Sequence, residues 1–149
     1  MKIAIASDHR GFKLKNTLID FLKAKGYEVF DCGTYSQEPC DYPDYTYLAA
    51  DRVRSKKADR AIVICYTGTG SAIVANKVKG IRAALAYNLK STYMSRRHNN
   101  SNVLVLPSYL FKVEYLKKIV LRWLKEGFEG SRHARRIKKI QEIEERENA

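Results

Sequence analysis

Five short apolar runs alternate with longer segments of helical periodicity along this chain. The runs cover residues 2–6, 27–31, 61–65, 81–86 and 103–106, and Pro107 closes the last one. Strand-like runs that alternate with helices are typical of βαβ units, in which successive strands lie parallel in one sheet. The pattern predicts an α/β fold, an open parallel sheet of about five strands with helices on both faces.

The segments between these runs carry helical signals. The first places Phe12 and Leu18 on one side of a helix, and Gly26 is suited to end it. Two further helices are expected over 47–56 and 112–125, the second of them strongly amphipathic.

The C-terminal segment, 131–149, is highly charged but carries Ile137, Ile140 and Ile143 at three-residue intervals. One narrow apolar stripe on a polar helix fits packing against a second subunit. It fits equally well a helix that lies on its own domain, and both interpretations stay open at this point.

Length and composition fit one domain, 1–149, since no repeat or linker interrupts the chain. No apolar run approaches the roughly 20 residues that a membrane span needs, and polar residues interrupt the N-terminal run too early for a signal peptide. The cysteines Cys32, Cys40 and Cys65 form no C-x-x-C pair, so we expect reduced thiols and neither a disulfide framework nor a structural zinc site. These features predict a cytoplasmic protein.

The net charge of +12 is unevenly distributed. No acidic residue occurs between Asp59 and Glu114, and this span contains both a glycine-rich loop and His98. A positive local potential of this kind attracts anions. Nucleic acid is the alternative partner, but the chain has no helix-turn-helix, RNA-recognition or zinc-finger signature, so a small anionic substrate is favoured.

The glycine-rich loop follows the third run and reads Cys-Tyr-Thr-Gly-Thr-Gly-Ser over 65–71. Ile73 stands where a dinucleotide fingerprint needs a third small residue, and the Gly-Lys-Ser/Thr of a P-loop is missing. What remains is a compact set of backbone N–H groups that leads into a helix. Such a loop can stabilise an oxyanion or bind a phosphate.

Polar residues lie next to several strand ends. In open parallel sheets, ligands bind outside the carboxyl ends of the strands, where the strand order reverses. Here Asp8 and His9 follow the first strand and Cys65 ends the third, while 96–100, with His98, precedes the fifth. Cys65 is either an inert buried thiol or a base activated by its positive surroundings, and both histidines have a structural alternative. No G-x-S-x-G elbow supports serine catalysis.

Seven motifs along the chain together resemble one known family, the ribose-5-phosphate isomerase B group and the related allose- and galactose-6-phosphate isomerases. In order, they are Ser7-Asp8-His9, Asp41-Tyr42-Pro43, Ile64-Cys65-x-Thr67-Gly68-x-Gly70, Ala75-Asn76-Lys77, Gly80-Ile81-Arg82-Ala83, His98-Asn99-Asn100-x-Asn102 and Gly130-x-Arg132-His133-x-x-Arg136. The match extends from residue 2 to about 143, nearly the whole chain. Its specificity lies in the joint order and spacing of the motifs.

The resemblance implies a three-layer Rossmann-like sheet with a C-terminal helix for subunit contact, and a homodimer or tetramer with sites between subunits. It implies a metal-independent aldose–ketose isomerase without a cofactor, in which Cys65 is the base, Thr67 holds the enediolate and His98 opens the sugar ring. The substrate-binding residues that it implies are Asp8, His9, Gly68, Thr69, Gly70, Ser71, Asn99, Arg132 and Arg136. Arg132 and Arg136 lie one helical turn apart and would hold the phosphate.

Two residues depart from the family pattern. Tyr66 stands where members usually have glycine, and Tyr109 stands where an arginine commonly helps to bind phosphate. Arg135 or Lys112 would be a replacement for that cation. Interconversion of ribose 5-phosphate and ribulose 5-phosphate is the leading hypothesis. A six-carbon aldose phosphate as substrate, or a catalytically impaired sugar-phosphate binder, is the alternative.

Overall fold

The computed structural model describes residues 1–148, so the predicted domain end at residue 149 lies outside the described residues. The strands are β1 Lys2–Ser7, β2 Glu28–Asp31, β3 Arg60–Cys65, β4 Ala83–Leu85 and β5 Val103–Pro107. The helices are α1 Phe12–Ala24, α2 Tyr42–Arg54, α3 Thr69–Ala75, α4 Leu89–Asn99, α5 Val113–Lys125 and α6 Arg132–Glu147. Within this part of the chain, no helix combines the length and the hydrophobicity that crossing a bilayer requires.

The five strands form one sheet in the order β2-β1-β3-β5-β4, and every neighbouring pair is parallel. The prediction of an open parallel sheet is confirmed. The strand order reverses between β1 and β3, so the crevice that such sheets use for ligands opens between the ends of these two strands.

The two faces of the sheet bury side chains of different size. Ile3 and Ile5 of β1 face α1 and α5 in a core of large side chains that includes Trp123. Ala4 and Ala6 face α2 and α3 in a core dominated by alanine and valine. Because side chains alternate along a strand, the sequence of each strand sets both layers at once. The small side chains bring α2 and α3 close to the sheet.

Two elements differ from the sequence prediction by more than one residue at an end, and one helix was missed. Helix α2 begins at Tyr42 rather than at residue 47, because Pro43 occupies its first turn, where a missing N–H costs nothing. Strand β4 is confined to Ala83–Leu85, since the Asn102 side chain accepts the Arg82 N–H (2.7 Å) that would otherwise extend the strand. Helix α4 was not predicted at all.

Helix α6 lies against its own domain with part of its stripe uncovered. Ile137 is buried, whereas Ile140 and Ile143 are 48% and 50% exposed. Near its end, both carboxylate oxygens of Glu144 accept the Gly80 N–H at 3.0 Å. Packing on its own domain therefore accounts for one isoleucine of the stripe, and the other two remain open to a partner.

Gly11 offers a test of the close packing between β1, β3 and the turn that follows β1. A Cβ at this position would lie 2.7 Å from Ile64 Cγ2 and 2.9 Å from Ser7 Cβ. Gly11→Ala is expected to lower the free energy of unfolding by about 1–3 kcal/mol, because the core must shift to admit a methyl group. Urea unfolding measures the change.

Gly127→Ala is the matched control, because a Cβ there meets no atom within 4 Å. Its stability should stay within about 1 kcal/mol of the wild type. Equal effects of the two substitutions would contradict the packing described for Gly11.

Candidate active site

Cys65 is the last residue of β3 and lies at the carboxyl edge of the sheet. It pairs with Pro107 across the sheet, and its carbonyl accepts the Ser108 N–H at 2.9 Å. The residue is 4% exposed. Its backbone is thus fixed on the central strand, beside the reversal in strand order.

The loop after Cys65 requires its first glycine. Gly68 has φ +83°, and a Cβ on it would lie 2.4 Å from Leu85 Cδ1. The loop then turns directly into α3, where Thr67 Oγ1 accepts the Thr69 N–H at 3.3 Å. The N–H groups of Gly70 and Ser71 have no acceptor among the described residues. They are the donors that an oxyanion at this position would meet.

The start of α2 supports the other side of this loop. A Cβ on Gly70 would lie 2.4 Å from the Tyr42 ring, so the ring packs directly on the loop backbone. The buried Thr46 hydroxyl donates to Ser71 Oγ at 3.0 Å. Sequence reasoning missed both supporting residues. The Asp41-Tyr42-Pro43 motif was a signal for one of them, whereas Thr46 carried none.

Asp8 and His9 lie at the same edge, after β1. Asp8 Oδ1 accepts the N–H groups of Arg10 (3.0 Å) and Gly11 (3.2 Å), which fixes the turn, and the Asp8 N–H donates to the Ile64 carbonyl. His9 Nδ1 accepts the backbone N–H of Cys40 at 3.2 Å. Neutral His9 therefore carries its proton on Nε2, which is free to donate to a ligand.

His98 and Asn99 lie at the opposite edge of the same subunit. They end α4, which leads into β5 at Val103, and Val103 pairs with Ala61 at the amino end of β3. Cys65 is four residues further along β3, so at about 3.3 Å per residue the two edges are about 13 Å apart. Helices that return to a parallel sheet end at its amino edge, so one chain does not bring His98 and Asn99 beside Cys65, and the predicted sharing of the site between subunits stays a prediction.

His98 contacts α6, the helix that carries the predicted phosphate-binding arginines. Its ring stacks on that of buried His133 from α6, with centroids 4.2 Å apart and planes at 12°. Glu129 holds this corner through an ion pair with Arg97 at 3.2 Å. Burial lowers the pKa of His133, and the charges of His98 and Arg132 lower it further.

Arg132 and Arg136 lie in the first turns of the same helix, α6, and are exposed. Neither forms an ion pair with the part of the chain that the structure describes. The amino edge therefore presents two available guanidinium groups beside an imidazole, which suits an anion.

The fold and this distribution of residues agree with one family. A model of the Ribose/Galactose Isomerase family matches residues 3–140. The chain belongs to the ribose/galactose isomerase family. The resemblance inferred from the seven motifs is confirmed, and with it the predicted isomerase class.

Several relatives of this isomerase are similar over nearly their whole length. Ribose-5-phosphate isomerase B of Escherichia coli (strain K12) is 44% identical over 147 residues, 99% of each chain. The Clostridium thermocellum ribose-5-phosphate isomerase B structure has a TM-score of 0.97 at 50% identity, covering 98% of this chain and 99% of that one. The Mycoplasma genitalium enzyme, solved with bound ribulose-5-phosphate, has a TM-score of 0.92 at 44% identity, covering 97% and 96%.

The two departures from the family pattern contact each other. The rings of Tyr66 and Tyr109 lie 5.1 Å apart between centroids, and the Tyr109 N–H donates to the Tyr66 carbonyl at 3.2 Å. Of the cations considered as replacements, Arg135 lies on α6 at the amino edge, and Lys112 precedes α5. Among residues 1–148, neither cation stacks on a ring of this tyrosine pair or bonds to it.

One group of side chains in this isomerase has metal-ligand chemistry. The ligand atoms of His98, Glu129 and His133 lie within 4.8 Å of one another. The two rings are stacked nearly parallel, however, so their nitrogens do not converge on one point, and Arg97 already pairs with Glu129. The arrangement suits a stacked pair better than a metal site, and catalysis without a metal stays a prediction.

The lowered pKa of His133 predicts that the stability of the fold depends on pH. Its pKa is lowered in the folded state, so the unfolded chain binds this proton more readily. The contribution of neutral His133 to the free energy of unfolding is therefore fully present above about pH 6.5, the ordinary histidine pKa. It is lost as the pH falls below that value. Between about pH 7.5 and about pH 5.5, the wild type should lose more unfolding free energy than His133→Gln does. Parallel stability curves for the two proteins would contradict this.

Proposed function

We propose that this protein interconverts ribose 5-phosphate and ribulose 5-phosphate through an enediolate, with Cys65 as the base. The observation that carries the proposal is the position of Cys65, at the end of the central strand and followed at once by a loop with unpaired backbone donors. Family membership supports the same chemistry. So does the bound ribulose-5-phosphate in the Mycoplasma genitalium relative.

The proton transfer follows from this placement. The Cys65 thiolate removes the proton from C2 of the open-chain aldose, and the electron pair of that bond forms the C1–C2 double bond of the enediolate. Thr67 and the N–H groups of Gly70 and Ser71 stabilise the negative oxygen, at about 3–4 kcal/mol for one such donor. Return of the proton to C1 and proton exchange between the two oxygens complete the ketose.

The remaining predicted residues, at the amino edge, reach this site from a second copy of the chain. His98 would open the sugar ring, Asn99 would contact the sugar, and Arg132 and Arg136 would bind the phosphate. Within one subunit they are separated from Cys65 by the length of a strand. In a symmetric pair, each copy contributes its amino edge to the other's carboxyl edge.

Exposed apolar side chains lie around the carboxyl-edge loop and suit such a contact. Ile73 of α3 is 58% exposed, and Tyr47 and Leu48 of α2 are each about half exposed. Large apolar side chains left exposed near one another suit an interaction surface. A homodimer, or a tetramer built from such pairs, is the assembly that we propose.

A cytoplasmic location and catalysis without a cofactor are further predictions.

A six-carbon aldose phosphate is the second candidate substrate. The Tyr66–Tyr109 pair favours it, since two large side chains at the edge of the site change its shape where the family commonly has a glycine and an arginine. Comparing kcat/KM on ribose 5-phosphate, allose 6-phosphate and galactose 6-phosphate decides between the two substrate classes. Binding of all three without turnover would instead identify an impaired binding protein.

Cys65→Ala tests the mechanism. Loss of a positioned base should lower kcat on ribose 5-phosphate by about 10²- to 10⁴-fold. Exchange of the C2 proton with deuterated solvent, followed by NMR, should fall in parallel. Cys32→Ala is the matched control, because Cys32 is a buried thiol on the other side of β1 and outside the site. Full activity of Cys65→Ala would rule out the assigned base.

A further inference from the structure

Arg10 is an exposed guanidinium at the carboxyl edge for which the chemistry described above has no role. It lies in the turn after β1, between His9 and Gly11, and its backbone is fixed by the bond from its N–H to Asp8 Oδ1 at 3.0 Å. The side chain forms no ion pair and donates no hydrogen bond among residues 1–148. Its guanidinium donors are therefore free to bind a ligand.

The guanidinium nevertheless contacts an aromatic ring. Its central carbon lies 4.6 Å from the centroid of the Tyr66 ring. Tyr66 in turn packs on Tyr109, and its carbonyl accepts a hydrogen bond from the Tyr109 N–H. A cation on an aromatic face is attracted by the ring, and an arginine in this position keeps its planar fork of donors available.

We infer that Arg10 binds the phosphate of the substrate from the same subunit as Cys65, and that Tyr66 is the residue that positions it. The inference rests on the proposed function. The reacting carbons C1 and C2 must lie at Cys65, so the phosphate on the far end of the sugar lies outside the loop, at the mouth of the site. Tyr66 directly follows Cys65, and the guanidinium on its ring stands at that mouth.

The electrostatic setting agrees with this assignment. His9, beside Arg10, has a free Nε2–H, and the carboxylate of Asp8, in the same turn, has one oxygen occupied by two backbone N–H groups. Arg132 and Arg136 would approach from the second subunit, so the phosphate would be held by cations of both copies. Arginine suits this role because its fork matches two phosphate oxygens at once.

Arg10→Ala is the central variant. It should raise KM for ribose 5-phosphate by about tenfold to a hundredfold, with kcat changed much less, because one charge-assisted contact to a non-reacting group is lost. The dissociation constant for inorganic phosphate, measured by calorimetry, should rise in proportion. Lys13→Ala removes an exposed cation of the next helix and should leave both values unchanged.

Variants of Tyr66 test the positioning role. Tyr66→Phe keeps the aromatic face and should retain the wild-type KM, whereas Tyr66→Ala should raise KM. Because both residues act through one contact, Arg10→Ala combined with Tyr66→Ala should be no worse than Arg10→Ala alone. Additive effects of the two substitutions would overturn the assignment of Tyr66.

The outcomes separate this inference from the proposed function. If Arg10→Ala leaves both KM and phosphate affinity unchanged while the wild type turns over ribose 5-phosphate, the inference is wrong and the function stands. If the wild type shows no turnover but binds phosphate in an Arg10-dependent way, the function is wrong and the phosphate site stands. Thermal unfolding confirms that the exposed substitution has not disturbed the fold.

Discussion

The parallel pairing of β3 between β1 and β5 is the constraint on which the rest of this molecule depends. It places Cys65 level with Pro107 at one edge of the sheet and Ala61 level with Val103 at the other. Every connection in such a sheet returns to the amino edge, so the residues directly before a strand and the residues directly after a strand lie at opposite edges. The separation of His98 from Cys65 is a direct result of this topology, and it is the reason why we propose that a second subunit completes the site.

The unequal faces of the sheet determine how well the loop after Cys65 is held. Alanine and valine on one face let α2 approach closely enough for Tyr42 to cover Gly70 and for Thr46 to bond Ser71. These contacts position the unpaired N–H groups before any substrate arrives. Donors fixed in advance are the kind of stabilisation that contributes most to the reaction of a charged intermediate. The larger side chains on the other face, around Trp123, supply the main core.

Much of the fold was predictable from local patterns, since four of the five strands were located within one residue at each end. Helix α4 was not predicted from the sequence because it has no apolar stripe. The residues that it buries are Thr92, Ser95 and Arg96, and the Arg96 guanidinium bonds the Ser101 carbonyl at 2.6 Å. Hydrophobic periodicity cannot detect a helix that is held by polar contacts. The motifs identified the site residues as a set, but their division between two edges depends on strand direction, and the Arg10–Tyr66 contact depends on side-chain placement. Neither appears in a linear pattern.

The central claim is that each site combines the carboxyl edge of one chain with the amino edge of another. The most direct test is to coexpress Cys65→Ala and His98→Ala chains with different tags and to assay the doubly tagged complex. Each chain keeps the edge that the other lacks, so symmetry predicts one intact site per mixed pair and about half of the wild-type activity, although either variant alone is nearly inactive. A mixed complex no more active than the single variants would show that each site lies within one chain, and would contradict the account.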